Sequence, residues 1–140
     1  MYDRPSLTEL LDAVREHLEN QIVPAVKPDP RLYFHTLVAI NLLKIAEREL
    51  QYREAHLQTA WQRLNVLQDT DKAIPSDSQE ALDALALRSD RLCQDIRAGV
   101  YDAEARKQAL FKHLLLSTRE QLEVASPRFL QTVQQEDATR

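Results

Sequence analysis

The stretch HTLVAINLLKIAEREL, residues 35–50, places two polar side chains in step within an apolar run. Asn41 and Arg48 stand one heptad apart, and Tyr52 follows Arg48 by four residues, so all three share one face of a helix. Glu49 sits beside them. A guanidinium on an apolar face needs a carboxylate, helix-end carbonyls or an anionic ligand, because it presents a planar fork of donors that fits carboxylate and phosphate groups. An amide on such a face either pins helix register at a cost in stability or recognises a ligand. Asn41, Arg48, Glu49 and Tyr52 are therefore a candidate polar recognition cluster, with a structural plug and a binding site both open.

Other chemistry finds little support. Three residues before His17, His35, His56 and His113 stand Val14, Leu32, Arg53 and Leu110, so no Glu-x-x-His of a di-iron bundle is present. No H-E-x-x-H occurs. The single cysteine, Cys93, excludes an internal disulfide and a Cys-based zinc cage. Cys93 is expected at the buried edge of a helical stripe, as an inert small hydrophobe. Ser89 and Thr118 fall inside apolar stripes, where hydroxyls bond back to a carbonyl one turn earlier. No catalytic residue, cofactor or metal is expected.

The elements that must position these groups are helices. The chain has 140 residues, 44% hydrophobic, 29% charged, with one glycine and a net charge of −4. Scarce glycine removes most tight turns, and this length fits one domain with a real core. An acidic chain lacks the clustered cations that nucleic acid requires. No apolar run approaches the ~20 residues of a membrane span, and MYDRPSLTEL has no apolar segment of a signal peptide. A cytoplasmic bacterial protein is the expectation.

Ser6 and Glu9 have capping-box spacing. Leu7, Leu11, Val14, Leu18 and Ile22, with Leu10 beside them, make an apolar stripe that Pro24 should end. Asp29 caps a second helix with Pro30 at its first position, and nothing breaks it before about Leu67. Its apolar face moves: Phe34, Val38, Ile45 and Tyr52, with Leu37 alongside, form one seam. Leu43, Ala46, Leu50, Leu57, Leu64 and Leu67 form another, roughly 150° away by ~100° steps. Residues 68–77 read as a loop, with Ser76 and Gln79 as a second capping box. Leu82, Leu85, Ser89, Leu92 and Ile96 mark a third helix ending at Gly99. A fourth starts after Asp102, buries Leu110, Phe111, Leu114, Leu115, Thr118, Leu122 and Ala125, and stops at Ser126-Pro127.

The expected fold is an all-α antiparallel four-helix bundle, residues 1–130, with one overlong central helix at about residues 30–67. A polar tail, residues 131–140, should fray from Gln134. If the long helix overhangs, Leu57, Trp61 and Leu64 must be covered by the loop or a second subunit, which makes them a candidate partner or dimer surface.

The segments YDRPSLTELLDAVREHLENQIVPAV, FHTLVAINLLKIAEREL, IRAGVYD and LEVASPRFL resemble a small bacterial all-helical family of unknown function. Its pattern falls on Asp3, Arg4, Pro5, Asn41, Arg48, Glu49, Pro127 and Arg128, with Ser126 where Asn is more usual. The resemblance implies a genomic setting beside acyl-CoA dehydrogenases and aminoglycoside-phosphotransferase-like kinases of acyl catabolism. The leading expectation is thus a non-catalytic accessory protein that binds a kinase-like or acyl-CoA dehydrogenase partner. The alternative is a helical bundle that binds an acyl-CoA or carboxylate between helices through Asn41 and Arg48.

Overall fold

A computed structural model describes residues 4–139; Asp3 of the sequence pattern lies outside them. Among the described residues the chain is all-α, with no strand. Helix α1 (Leu7–His17) opens on the expected reciprocal cap: Ser6 Oγ accepts from the Glu9 amide at 3.2 Å, and Glu9 Oε2 accepts from the Ser6 amide at 2.7 Å. Pro24 does not stop the helical run. Residues Leu18–Ile22 widen into a π turn, in which the Val23 amide reaches the Leu18 carbonyl five residues back. Helix α2 (Val23–Val26) then carries Pro24 in its first turn. Proline lacks an amide and its ring collides with the carbonyl four residues earlier in a regular helix. A π turn immediately upstream moves that carbonyl out of register.

Helix α3 (Pro30–Leu67) runs 38 residues, as the unbroken sequence predicts. Asp29 caps it, with Oδ1 accepting from the amides of Arg31 at 3.0 Å and Leu32 at 3.1 Å. At its end Asp69 takes a left-handed conformation, φ 52°, and the Thr70 amide closes back on Asn65 O at 2.9 Å. Aspartate is one of the few non-glycine residues that adopt this conformation readily.

Helix α4 (Ser78–Arg97) is capped by Asp77, not Ser76: Asp77 Oδ1 accepts from the amides of Gln79 and Glu80, each at 2.9 Å. Its end is as expected. Gly99 has φ +77°, and the amides of Gly99 and Val100 bond to Ile96 O at 3.1 Å and Asp95 O at 3.0 Å. This double closure is the Schellman arrangement. Helix α5 (Glu104–Ala125) starts from Ala103, which offers no side-chain cap. The expected cap, Asp102, lies over Gly99 instead, so that a methyl group on Gly99 would sit 2.8 Å from Asp102 Oδ2. Ser126 breaks the chain, and Pro127 begins helix α6 (Pro127–Ala138), so most of the segment expected to fray is helical.

The chain forms two compact units, dividing in sequence between Tyr52 and Arg53. In unit 1, up to Tyr52, ion pairs bind the first helical run to α3. Arg15 pairs with Glu47 at 3.2 Å and Glu19 at 2.9 Å, and also with Asp12; Lys44 pairs with Glu19 at 2.8 Å. Burial opposes the charge on Arg15, but the hydrogen bond it donates to Glu47 and the surrounding carboxylates outweigh it and raise its pKa.

In unit 2, from Arg53, Leu64, Leu92, Tyr101 and Leu110 form a core with Leu67 and Leu85 packed against it. Leu57, Trp61 and Leu64 belong to the buried residues, at 7%, 5% and 1% exposure. This corrects their assignment to a partner or dimer surface. Leu64 is covered by the core around it, and the loop after α3 reaches Trp61: Trp61 Nε1 donates to Lys72 O at 2.7 Å, and Asn65 Nδ2 donates to the same carbonyl at 3.0 Å.

Two helix faces differ from expectation. On α4, Ala81, Arg88 and Leu92 are buried, whereas Ser89 and Cys93 are exposed. On α5, Leu110 and Val124 are buried, whereas Phe111, Leu114 and Leu115 are exposed. The faces turn because Arg88 and Glu120 are drawn inward by polar partners, described below. The hydroxyls of Ser89 and Thr118 do bond back, to Leu85 O at 2.9 Å and Leu114 O at 2.8 Å.

The second seam of α3 is covered, from half-buried Leu43, Ala46 and Leu50 to buried Leu57 and Leu64. The first is open at its start, with Phe34 63% and Val38 42% exposed. In urea unfolding followed by Trp61 fluorescence, Leu64→Ala should lose about 2–5 kcal/mol. Phe34→Ala should stay within about 0.5 kcal/mol of the parent.

Candidate functional site

The polar cluster read from the sequence divides in the structure. Asn41 is exposed, because its seam is open; it is not a buried register pin. Arg48 and Tyr52 are half-buried and Glu49 is exposed. None of Arg48, Glu49 and Tyr52 is left without an interaction. Asn41 lies instead among apolar neighbours at helical spacing, Phe34, Leu37, Val38 and Leu42, all exposed. An amide within such a strip can donate and accept across a docking surface.

Two constellations in unit 2 escape sequence reading. The first joins α3 to α5. Arg63 presents both Nη atoms to Glu120, at 2.7 and 2.6 Å, and Nη2 also lies 3.4 Å from Ser117 Oγ. Thr59 Oγ1 is 3.0 Å from Glu120 Oε1, and His56 Nε2 is 2.9 Å from Glu123 Oε2. A bidentate guanidinium–carboxylate pair is a directional strut. Burial pushes the Glu120 carboxyl up, but hydrogen bonds from Arg63 and Thr59 and the nearby positive charge outweigh it, so its pKa falls.

His113 faces the same region. Its Nδ1 is buried without a hydrogen-bond partner, as is Arg63 Nε. Burial, helped by the Arg63 charge, lowers the His113 pKa, so the ring is neutral near pH 7. Arg63, Val66, Leu67, Lys112, His113 and Leu116 line a cavity of about 380 Å³. Cys93 and Ser89 lie on α4, outside its lining, so no thiol or serine nucleophile lines it with His113.

The second constellation surrounds Arg88 on α4, 7% exposed. Its guanidinium lies 4.6 Å from the centroid of the Trp61 ring. Nε donates to Gln68 Oε1 at 3.0 Å, and Nη2 reaches Thr70 Oγ1 at 3.4 Å. Gln68 Nε2 returns a bond to the Arg88 carbonyl at 3.3 Å. Nη1 is buried without a partner. Among the described residues no carboxylate pairs with Arg88, and burial alone lowers its pKa. Arg88 lines a cavity of about 420 Å³ beside the α3–α4 loop. The available sequence signal was a cation at the four-residue step before Leu92 and three after Leu85, inside an apolar stripe.

Among the described residues, no group of three or more His, Cys, Asp or Glu is arranged to hold a metal ion, and no helix is long and apolar enough to cross a membrane. The chain belongs to the family DUF6285, described as a domain of unknown function, which it matches over residues 24–129. No curated protein and no solved structure matches it.

The neutral His113 and the ionised Glu120 set an acid limb. A folded pKa below the unfolded value means that the unfolded state takes up the proton first, so stability falls as pH falls. His113 should act from about pH 6.5 downward and Glu120 from about pH 4.3 downward. Urea midpoints measured from pH 8 to 3.5 should decline across both windows. His113→Leu should flatten the upper window and Glu120→Gln the lower.

Proposed function

We propose that this DUF6285 protein is a non-catalytic helical interaction protein that docks a partner enzyme on the open seam of α3. The carrying observation is the imbalance of unit 1. Among its described residues Ile40 is the buried large hydrophobic, while Leu7, Leu10, Val14, Phe34, Leu37, Val38 and Leu42 stay exposed. Full burial of one such side chain is worth about 1.5–3 kcal/mol. Phe34, Leu37, Val38 and Leu42 together could therefore support a specific complex even after the cost of association. Scattered exposed leucines need no explanation, but a strip at helical spacing does.

Asn41 sits within this strip and supplies the specificity. Its amide satisfies both donor and acceptor only where the partner offers complementary groups, and an apolar surface without them is penalised by about 1–3 kcal/mol. The partner favoured here is the aminoglycoside-phosphotransferase-like kinase that the sequence resemblance implies, with the acyl-CoA dehydrogenase next, in the bacterial cytoplasm. The same strip also permits a homodimer, in which two copies of α3 meet face to face.

Co-expression with each enzyme, followed by size exclusion with light scattering at about 10 μM, tests this reading at the affinity of a transient complex. The wild-type chain should co-elute with the kinase-like partner. Phe34→Asp and Val38→Asp, both at exposed positions, should abolish co-elution and leave the circular dichroism unchanged. A monomeric chain that binds neither enzyme would end the proposal.

A further inference from the structure

Unit 2 encloses a cation that its own fold does not neutralise. A buried charge without an ionic partner is costly to hold. The face of Trp61 offsets part of that cost, and Gln68 and Thr70 are neutral. Arg88 is thus held and oriented, but its charge is uncompensated.

The cavity wall extends this imbalance. Lys72, Arg88, Arg91 and Arg106 line it with Asp69 and Asp95. Asp95 is engaged by Arg91, Nε to Oδ1 at 3.2 Å. Four cations against two carboxylates leave the wall with an excess of two positive charges. The rest of the wall is apolar: Leu67, Leu87 and Val100 line it, and Leu87 is 70% exposed. The volume, about 420 Å³, falls within the roughly 300–1,000 Å³ of small-molecule sites.

We propose that this cavity binds a small organic molecule through a phosphomonoester group. The charge count selects the dianion, since a phosphomonoester carries about −1.5 to −2 at pH 7, whereas a carboxylate carries one negative charge. The apolar wall selects an organic phosphate over the free ion, which would leave Leu87 and Val100 uncovered. At 3.4 Å the Nη2 contact to Thr70 is at the long limit of a hydrogen bond, and a phosphate oxygen replaces it with a charge-assisted bond. Arg91, Lys72 and Arg106 close around the remaining oxygens from the rim. The site lies in unit 2 and does not depend on the partner strip of unit 1.

Calorimetric titration of the full chain with phenyl phosphate, inorganic phosphate and benzoate tests the assignment. Phenyl phosphate should bind with a Kd of about 1 mM or tighter, and the other two at least about tenfold more weakly, a difference of roughly 1.4 kcal/mol. Arg88→Met should abolish binding. The exposed pair Arg91→Gln with Arg106→Gln should weaken it by about tenfold or more, and it carries the test alone if circular dichroism shows Arg88→Met to be unfolded. No heat with phenyl phosphate at about 10 mM would overturn the proposal. So would equal affinity for inorganic phosphate or benzoate, or undiminished affinity in the variants.

Discussion

A guanidinium taken out of water without a carboxylate opposite it has to be gripped by weaker contacts, and in unit 2 that requirement organises the surrounding chain. Arg88 rests on the indole of Trp61 and is fixed by Gln68 and Thr70. Those residues can serve only because α3 ends where it does. The left-handed Asp69 turns the chain so that Gln68 and Thr70 point back toward α4. The indole is fixed in turn by the Lys72 carbonyl. Helix end, loop and α4 register therefore depend on one another: each contact is worth about 1 kcal/mol, and the arrangement persists because several act on one group.

Much of the architecture was legible in the sequence. Proline and glycine punctuation gave α3 its full length, and Gly99 its left-handed closure. Capping signals were correct at Ser6 and Asp29, and failed where a neighbour or a nearby turn claimed the position. At Ser76 and Asp77 the acid took the cap, and Asp102 was diverted to the turn at Gly99. Pro24 misled because a widened turn lets a helix absorb a proline, and no composition rule marks that.

The site was less legible. Periodicity finds apolar stripes, but α4 and α5 are apolar enough to offer more than one. The choice between faces is made by cross-helix polar pairs, Arg63 with Glu120 and Arg88 with Gln68. These partners lie tens of residues apart, in a register that local pattern does not contain. The attention drawn to Asn41 and Arg48 came from the same rule, a polar residue on an apolar seam. It holds only where the seam is covered. At Asn41 it is not, so the amide is a surface group among exposed aliphatics.

The π turn at Leu18–Ile22 also sets the direction of the side chains that follow it in the first helical run. Such a turn holds one more residue than the α-helical turn it replaces. Within the continuous helical run, the residues after it, up to Val26, are turned by about 100° from where an unbroken α-helix would place them. The side chains of Ile22, Val23 and Val26 consequently owe their direction to that one residue. A relative lacking it could carry the same apolar letters and present them to a different side.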